Sequence, residues 1–105
     1  MVESVVEAKL REYAESKGCM FMKFISTKSG VSDRIIQFPN GYTVFFEVKR
    51  PGKRPEPLQV QKSNAIQKRN GISFWTDNIE SGKQFIDEIL HARTLPTPKY
   101  TLPPQ

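Results

Sequence analysis

The stretch Pro39-Asn40-Gly41 lies between two apolar runs, "DRIIQF" (33–38) and "YTVFFEVK" (42–49). Asparagine and glycine both tolerate positive φ, so their pairing between strand-like segments is a strong hairpin signal. Loop length then decides everything about the two strands. A two-residue loop at Asn40-Gly41 sets Asp33 opposite Val48. A three-residue loop, Pro39 to Gly41 with Gly41 in the left-handed region, sets Asp33 opposite Glu47. A one-residue slip moves every side chain to the other face of the sheet. The three-residue loop, or an equivalent bulge, is the expectation taken here. Val44, Phe46 and Val48 then share one face, and Phe45, Glu47 and Lys49 the other.

The remaining elements follow from period and punctuation. Val2, Val5, Val6, Leu10, Tyr13 and Ala14 recur at helical spacing over 2–16, and Lys17-Gly18 is a stop. "CMFMKFI" (19–25) is a β-rich run, and "STKSGVS" (26–32) is a polar loop. "RPGKRPEP" (50–57) breaks the pattern with proline and glycine. Residues 58–69 read as a helix with a thin apolar stripe (Leu58, Ala65, Ile66) closed by Asn70-Gly71. "ISFWT" (72–76) reads as a fourth strand, with Phe74 and Trp75 expected in the core and Cys19 expected in a buried strand. Asp77 or Asn78 is placed to cap a last helix over 79–92, with Ile79, Phe85, Ile86, Ile89 and Leu90 as its core face. The order α-β-β-β-α-β-α predicts an α/β protein, a central mixed four-stranded sheet flanked by helices. The third and fourth strands, joined through a helix, are expected to be parallel.

With 105 residues the chain is expected to form one domain, residues 1–92, followed by a proline-rich extended or disordered tail, 93–105. No apolar run approaches a membrane span, and acidic residues interrupt the N-terminal "MVESVVEAKL", which therefore does not read as a signal peptide. A single cysteine excludes a disulfide framework and a cysteine-based zinc site, and fits an intracellular setting. A single histidine, His91, disfavours nucleases and hydrolases built on histidine ligands; it reads as a surface residue of the last helical turn. The glycine-containing loop lacks a Walker pattern, so nucleotide hydrolysis is unsupported. Net charge is +5, concentrated in Lys49–Arg69, which suits either an anionic partner or a solvated face.

Asp33 and Glu47 are the chemical signal. Directly opposed strand residues have Cβ atoms only about 4.5–5.5 Å apart, and like charges there repel. A cation between them removes the conflict, and two carboxylates suit a hard ion such as Mg²⁺ or Mn²⁺. An acid-x-Lys triplet on an exposed strand, paired with its neighbours, would look the same from spacing alone.

A wider pattern separates these readings. Asp33, a hairpin, then Glu47-Val48-Lys49 resembles the Asp…(Asp/Glu)-x-Lys core of restriction-endonuclease-like nucleases. "VVEAKLREYAESKG", "KFISTKSGVSDRI", "FFEVKRPGKRPEPLQ" and "NGI" are together similar to the VRR-NUC family, the virus-type replication-repair nucleases of that superfamily, over roughly residues 3–76. The resemblance implies a restriction-endonuclease-like core and a Mg²⁺- or Mn²⁺-dependent endonuclease leaving 5′-phosphate and 3′-hydroxyl ends. It implies that Asp33 and Glu47 hold the metal with the Val48 carbonyl. Lys49 then positions or activates water or stabilises the phosphate, and Gln59 points at the site from the second helix. Glu7 is the expected helical acid, directly or through water, because it lies eleven residues before Gly18, the spacing of related junction resolvases; Glu3, one turn earlier, is the alternative. Ser32 stands where the family has proline, which loosens the loop and removes no ligand. Lys23, Lys28, Arg34, Arg50, Lys53, Arg54 and Lys62 are expected to reach phosphates. The resemblance points to Holliday junctions or other branched DNA as substrate, a homodimer matching a four-way junction, and a phage or prophage protein of the host cytoplasm or nucleoid. Three rivals stand beside it: a DNA-binding module that does not cut, a nuclease for linear DNA or RNA, and an interaction protein with an incidental basic face.

Overall fold

The computed structural model describes residues 1–31 and 33–92. Ser32 and the tail from residue 93 therefore lie outside the described residues, with the expectations placed on them. The elements are α1 (Glu3–Ser16), β1 (Met20–Lys23), β2 (Arg34–Gln37), β3 (Thr43–Val48), α2 (Pro57–Lys68), β4 (Ile72–Thr76) and α3 (Ile79–Leu90). The fold is α/β, as expected, with sheet order β1-β2-β3-β4. The first two pairings are antiparallel and β3–β4 is parallel.

The hairpin has the three-residue loop. Ile35 pairs with Phe45 and Ile36 with Val44. Phe38 N–H donates to Tyr42 O at 2.8 Å and Gly41 N–H to Phe38 O at 3.0 Å. Gly41 has φ 99°, a region costly for residues with a Cβ. Continuing this register by one residue sets Asp33 opposite Glu47. Asp33 itself stands just ahead of β2, and its carbonyl accepts from Phe24 N–H at 3.0 Å.

The two sheet faces differ sharply. Val44, Phe46 and Val48 are buried, with Ile36 and Phe38 beside them. Val6, Leu10 and Ala14 of α1 and Ile86 of α3 complete this core. Phe74 of β4 belongs to it, its ring stacked on Phe85 with centroids 3.8 Å apart. Asn78 caps α3 by accepting from Ser81 N–H at 2.8 Å. The opposite face carries α2, which has no buried residue, and Phe24, whose ring meets Phe45 edge-on with centroids 5.9 Å apart. The expected apolar stripe of α2 is thus not a core face, and Leu58 is 42% exposed.

Two expectations need correction. Trp75 is not a core residue: it is 36% exposed. Strand alternation requires this, since Phe74 turns toward the core and its neighbour must turn away. β1 is shorter than expected, because it is an edge strand whose only partner, β2, pairs with it over Met20–Lys23. Cys19 is buried, as expected, but precedes the strand, and Ile25 beyond it is 91% exposed.

A candidate active site at the end of the hairpin

Glu3, Ser4, Glu7, Asp33, Arg34, Glu47 and Val48 line one cavity of about 200 Å³ where the hairpin meets the start of α1. Three expected acids and the alternative Glu3 are therefore brought to one place by elements distant in sequence. Gln59 joins them from α2. Its Oε1 accepts from Glu56 N–H at 2.8 Å, the capping-box contact that fixes the first turn of α2. Its Nε2 donates to Glu47 Oε1 at 2.9 Å. One side chain thus caps the start of the helix and orients the carboxylate.

Glu47 carries the electrostatic signature of the site. Burial pushes its carboxyl up to about 7; Lys49 pulls it down, and Asp33 and then Glu3 push it up again. The Lys49 ammonium is thus within electrostatic reach of Glu47. Lys49 is held in line by its N–H, which donates to Thr76 O at 2.8 Å.

The sign of the pH effect is definite. A carboxyl raised above its ordinary 4.5 favours the folded state in its protonated form, so its contribution is full below that value and is lost as pH rises to about 7. In chelator, the Glu47→Gln variant should therefore gain thermal stability relative to wild type as pH is raised from 5 to 8. Melting curves that stay parallel across this range would contradict the shift.

Glu7 and Arg34 form a pair. Arg34 Nε meets Glu7 Oε1 at 2.6 Å with side chains 17% and 23% exposed. Its Nη2 donates to Glu7 Oε2 at 3.2 Å, and its Nη1 meets Asp33 Oδ2 at 3.0 Å. Burial opposes the guanidinium charge, and the Glu7 and Asp33 carboxylates outweigh it, holding its pKa above the ordinary arginine value. Arg34 was expected to reach phosphate. Here it is a clamp that ties α1 to the residue before β2 and points the Asp33 side chain. Its Glu7 partner lies 27 residues away in sequence, so no local signal announces the contact.

Breaking this pair leaves a mostly buried carboxylate without its cation. Arg34→Met should lower stability by roughly 2 kcal/mol, less than the roughly 3–5 kcal/mol of a fully buried pair. That corresponds to a melting shift of about 10 °C for a domain of this size. Adding Glu7→Leu should recover most of the loss. Thermal unfolding of the single and double variants checks both.

Gly30 positions the loop that leads to Asp33. It has φ +84°, and a Cβ there would lie 2.8 Å from the Leu58 carbonyl oxygen, a backbone atom that no rotamer change can move. This seat of the loop on α2 was not legible beforehand.

The expected phosphate-binding lysines and arginines are dispersed. Arg50, Lys53 and Arg54 line a separate open hollow of about 570 Å³ near Met1. Lys53 lies 3.7 Å from Glu56 in an exposed pair, of a kind worth little. Lys23 and Lys28 are exposed on β1 and the following loop, and Lys62 is half-buried on α2.

Among the described residues no three His, Cys, Asp or Glu side chains form a ready metal-ligand group. Asp33 and Glu47 still fit a Mg²⁺-type ion, which takes one or two carboxylates and keeps several waters. Two opposed carboxylates, one with its pKa raised to about 7 partly by the other, are a donor set short of positive charge.

Fold and site define the class, a restriction-endonuclease-like α/β domain with an Asp…Glu-x-Lys strand end. No protein-family model matches the chain. A solved structure titled "VRR_NUC domain" is similar, with TM-score 0.74 and 25% identity over 81% of this chain and 94% of that one. A protein named "Putative nuclease p44", from Acyrthosiphon pisum secondary endosymbiont phage 1, is 36% identical over 61 residues. That match spans 57% of this chain and 66% of the phage protein. These similarities support a VRR-NUC-type domain in this chain.

Proposed function

We propose that this protein is a divalent-metal-dependent DNA endonuclease whose preferred substrates are four-way junctions or other branched DNA. The observation that carries the reading is the register of β2 and β3. It sets Asp33 opposite Glu47 at a cavity mouth, with Lys49 on the same side of the strand. The similarity to a VRR_NUC domain and to a nuclease-named phage protein supports it. A homodimer working inside a phage-infected or lysogenic host cell is part of the same reading, since two-fold symmetry suits paired cuts in a junction.

The chemistry follows from the side chains. Asp33 and Glu47, with the Val48 carbonyl, would hold Mg²⁺ or Mn²⁺. When bound, that ion supplies an activated water and neutralises charge on the phosphate and leaving oxygen. Gln59 holds Glu47 in one orientation through its 2.9 Å hydrogen bond. Arg34 does the same for Asp33. Lys49 presents fixed positive charge where the phosphate gains negative charge. Glu3 adds negative charge beside Glu47, and Glu7 supports the site through Arg34. The Arg50–Arg54 loop and Lys62 contribute attraction for the backbone. Among the described residues no helix is long and apolar enough to cross a membrane.

The test is a substrate panel with the wild-type chain in Mg²⁺ or Mn²⁺: four-way junction, flap, linear duplex, single strand and RNA. Cleavage of the branched DNAs in preference to the duplex is expected. Binding without any cleavage would refute the nuclease reading. Cleavage of RNA or linear duplex first would refute the substrate choice.

A further inference from the structure

A second cavity, of about 150 Å³, opens beside Glu47 between α2 and β4. Trp75 is one wall. The parallel ladder pairs Glu47 with Trp75, so the two side chains stand on one face of adjacent strands, which run about 4.7–4.9 Å apart. The other wall is α2, which presents Ser63, Asn64 and Gln67. Ser63 is occupied by Ser73, oxygen to oxygen at 2.7 Å, and accepts from Gln67 Nε2 at 3.2 Å. That leaves the Gln67 side-chain Oε1 and the Asn64 carboxamide available at the rim.

The lining selects its ligand by chemistry. Glu47 is the only charged residue in it, which disfavours a phosphate. An aromatic face opposed by carboxamides suits a flat, uncharged ring with donor and acceptor edges. A cavity of roughly 150 Å³ is known to take one aromatic ring. The neighbouring carboxylate site would hold the phosphate attached to such a ring.

We propose that this cavity receives one unpaired nucleobase of the strand being cut, stacked on Trp75 with its edge facing Asn64 and Gln67. The proposal deepens the nuclease reading and rests on it for the identity of the strand. It also gives a physical origin for structure selectivity. A base inside a duplex must be unstacked before it can enter, whereas a base at a branch point or flap is already free. No base-specific preference is required, because every base has a π-face.

Trp75 is the sole tryptophan of the chain, so tryptophan emission reports on the surroundings of this cavity wall. The full chain is titrated in EDTA with end-labelled oligothymidylate and, separately, with blunt duplex. Label anisotropy follows binding and tryptophan emission follows stacking. Saturable quenching by the single strand, well beyond that by the duplex, is expected. Binding without quenching, or no binding of the single strand, would overturn the proposal. In Mg²⁺, Trp75→Ala should raise KM for a flap substrate about tenfold, the scale of one lost base stack, and Trp75→Phe should recover most of it. An unchanged KM in Trp75→Ala would also overturn it. If Trp75→Ala does not fold, the wild-type titration decides alone. Wild-type cleavage without quenching removes the base site and leaves the nuclease. Quenching without cleavage of any substrate removes the nuclease and leaves a single-strand-binding site.

Discussion

Replacing Asp33 with asparagine should lower the rate of DNA cleavage by about 10³-fold or more, while DNA is still bound. The substitution keeps side-chain shape and removes one charge. It takes from the site one of two opposed carboxylates, and the transition-state stabilisation attributed to a metal in such a position is several kcal/mol. At about 1.4 kcal/mol per tenfold, three powers of ten is the expected scale. Binding should persist because the Arg50–Arg54 loop and Lys62 lie elsewhere. The Arg34 clamp also persists in part, since Glu7 still holds two of its nitrogens. Single-turnover cleavage in Mg²⁺ and anisotropy in EDTA measure the two quantities. A cleavage rate within tenfold of wild type would contradict the assignment.

Lys49→Ala should cost about 10²–10³-fold, the scale of losing one preorganised charge at a developing oxyanion. The loss should fall on kcat rather than KM, as for an interaction made chiefly in the transition state. The backbone there should not move, because its link to the sheet is the Lys49 N–H bond to Thr76, which alanine retains. Lys49→Arg should restore only part of the rate, since a planar fork does not replace a compact point charge. A loss confined to KM would instead make Lys49 one more phosphate contact.

Much of this was readable before any coordinates. The Pro39–Gly41 loop fixed the register, and with it the face shared by Glu47 and Lys49. The breaker "RPGKRPEP" and the helix after it made β3 and β4 parallel. Gln59 was placed by resemblance, and its hydrogen bond to Glu47 supplies the physical reason. What escaped was carried by tertiary contacts or by a misjudged layer. Trp75 is expected in the core together with Phe74, although strand alternation already opposes placing both there. The helix over that face, α2, has no buried residue, and its side chains at the cavity beside Trp75 include Gln59, Ser63, Asn64 and Gln67. Arg34 looked like a phosphate ligand because nothing near it in sequence reveals Glu7. The contacts of the two helical acids were equally invisible: Glu7 pairs with Arg34, and Glu3 lies within electrostatic reach of Glu47.

The most direct test is a crystal soaked in Mn²⁺, with anomalous scattering recorded. A peak is expected within bonding distance of both the Asp33 and Glu47 carboxylates, absent from crystals of Asp33→Asn. A saturating soak that leaves that position empty, or a peak bound by one of the two residues without the other, would contradict the metal assignment.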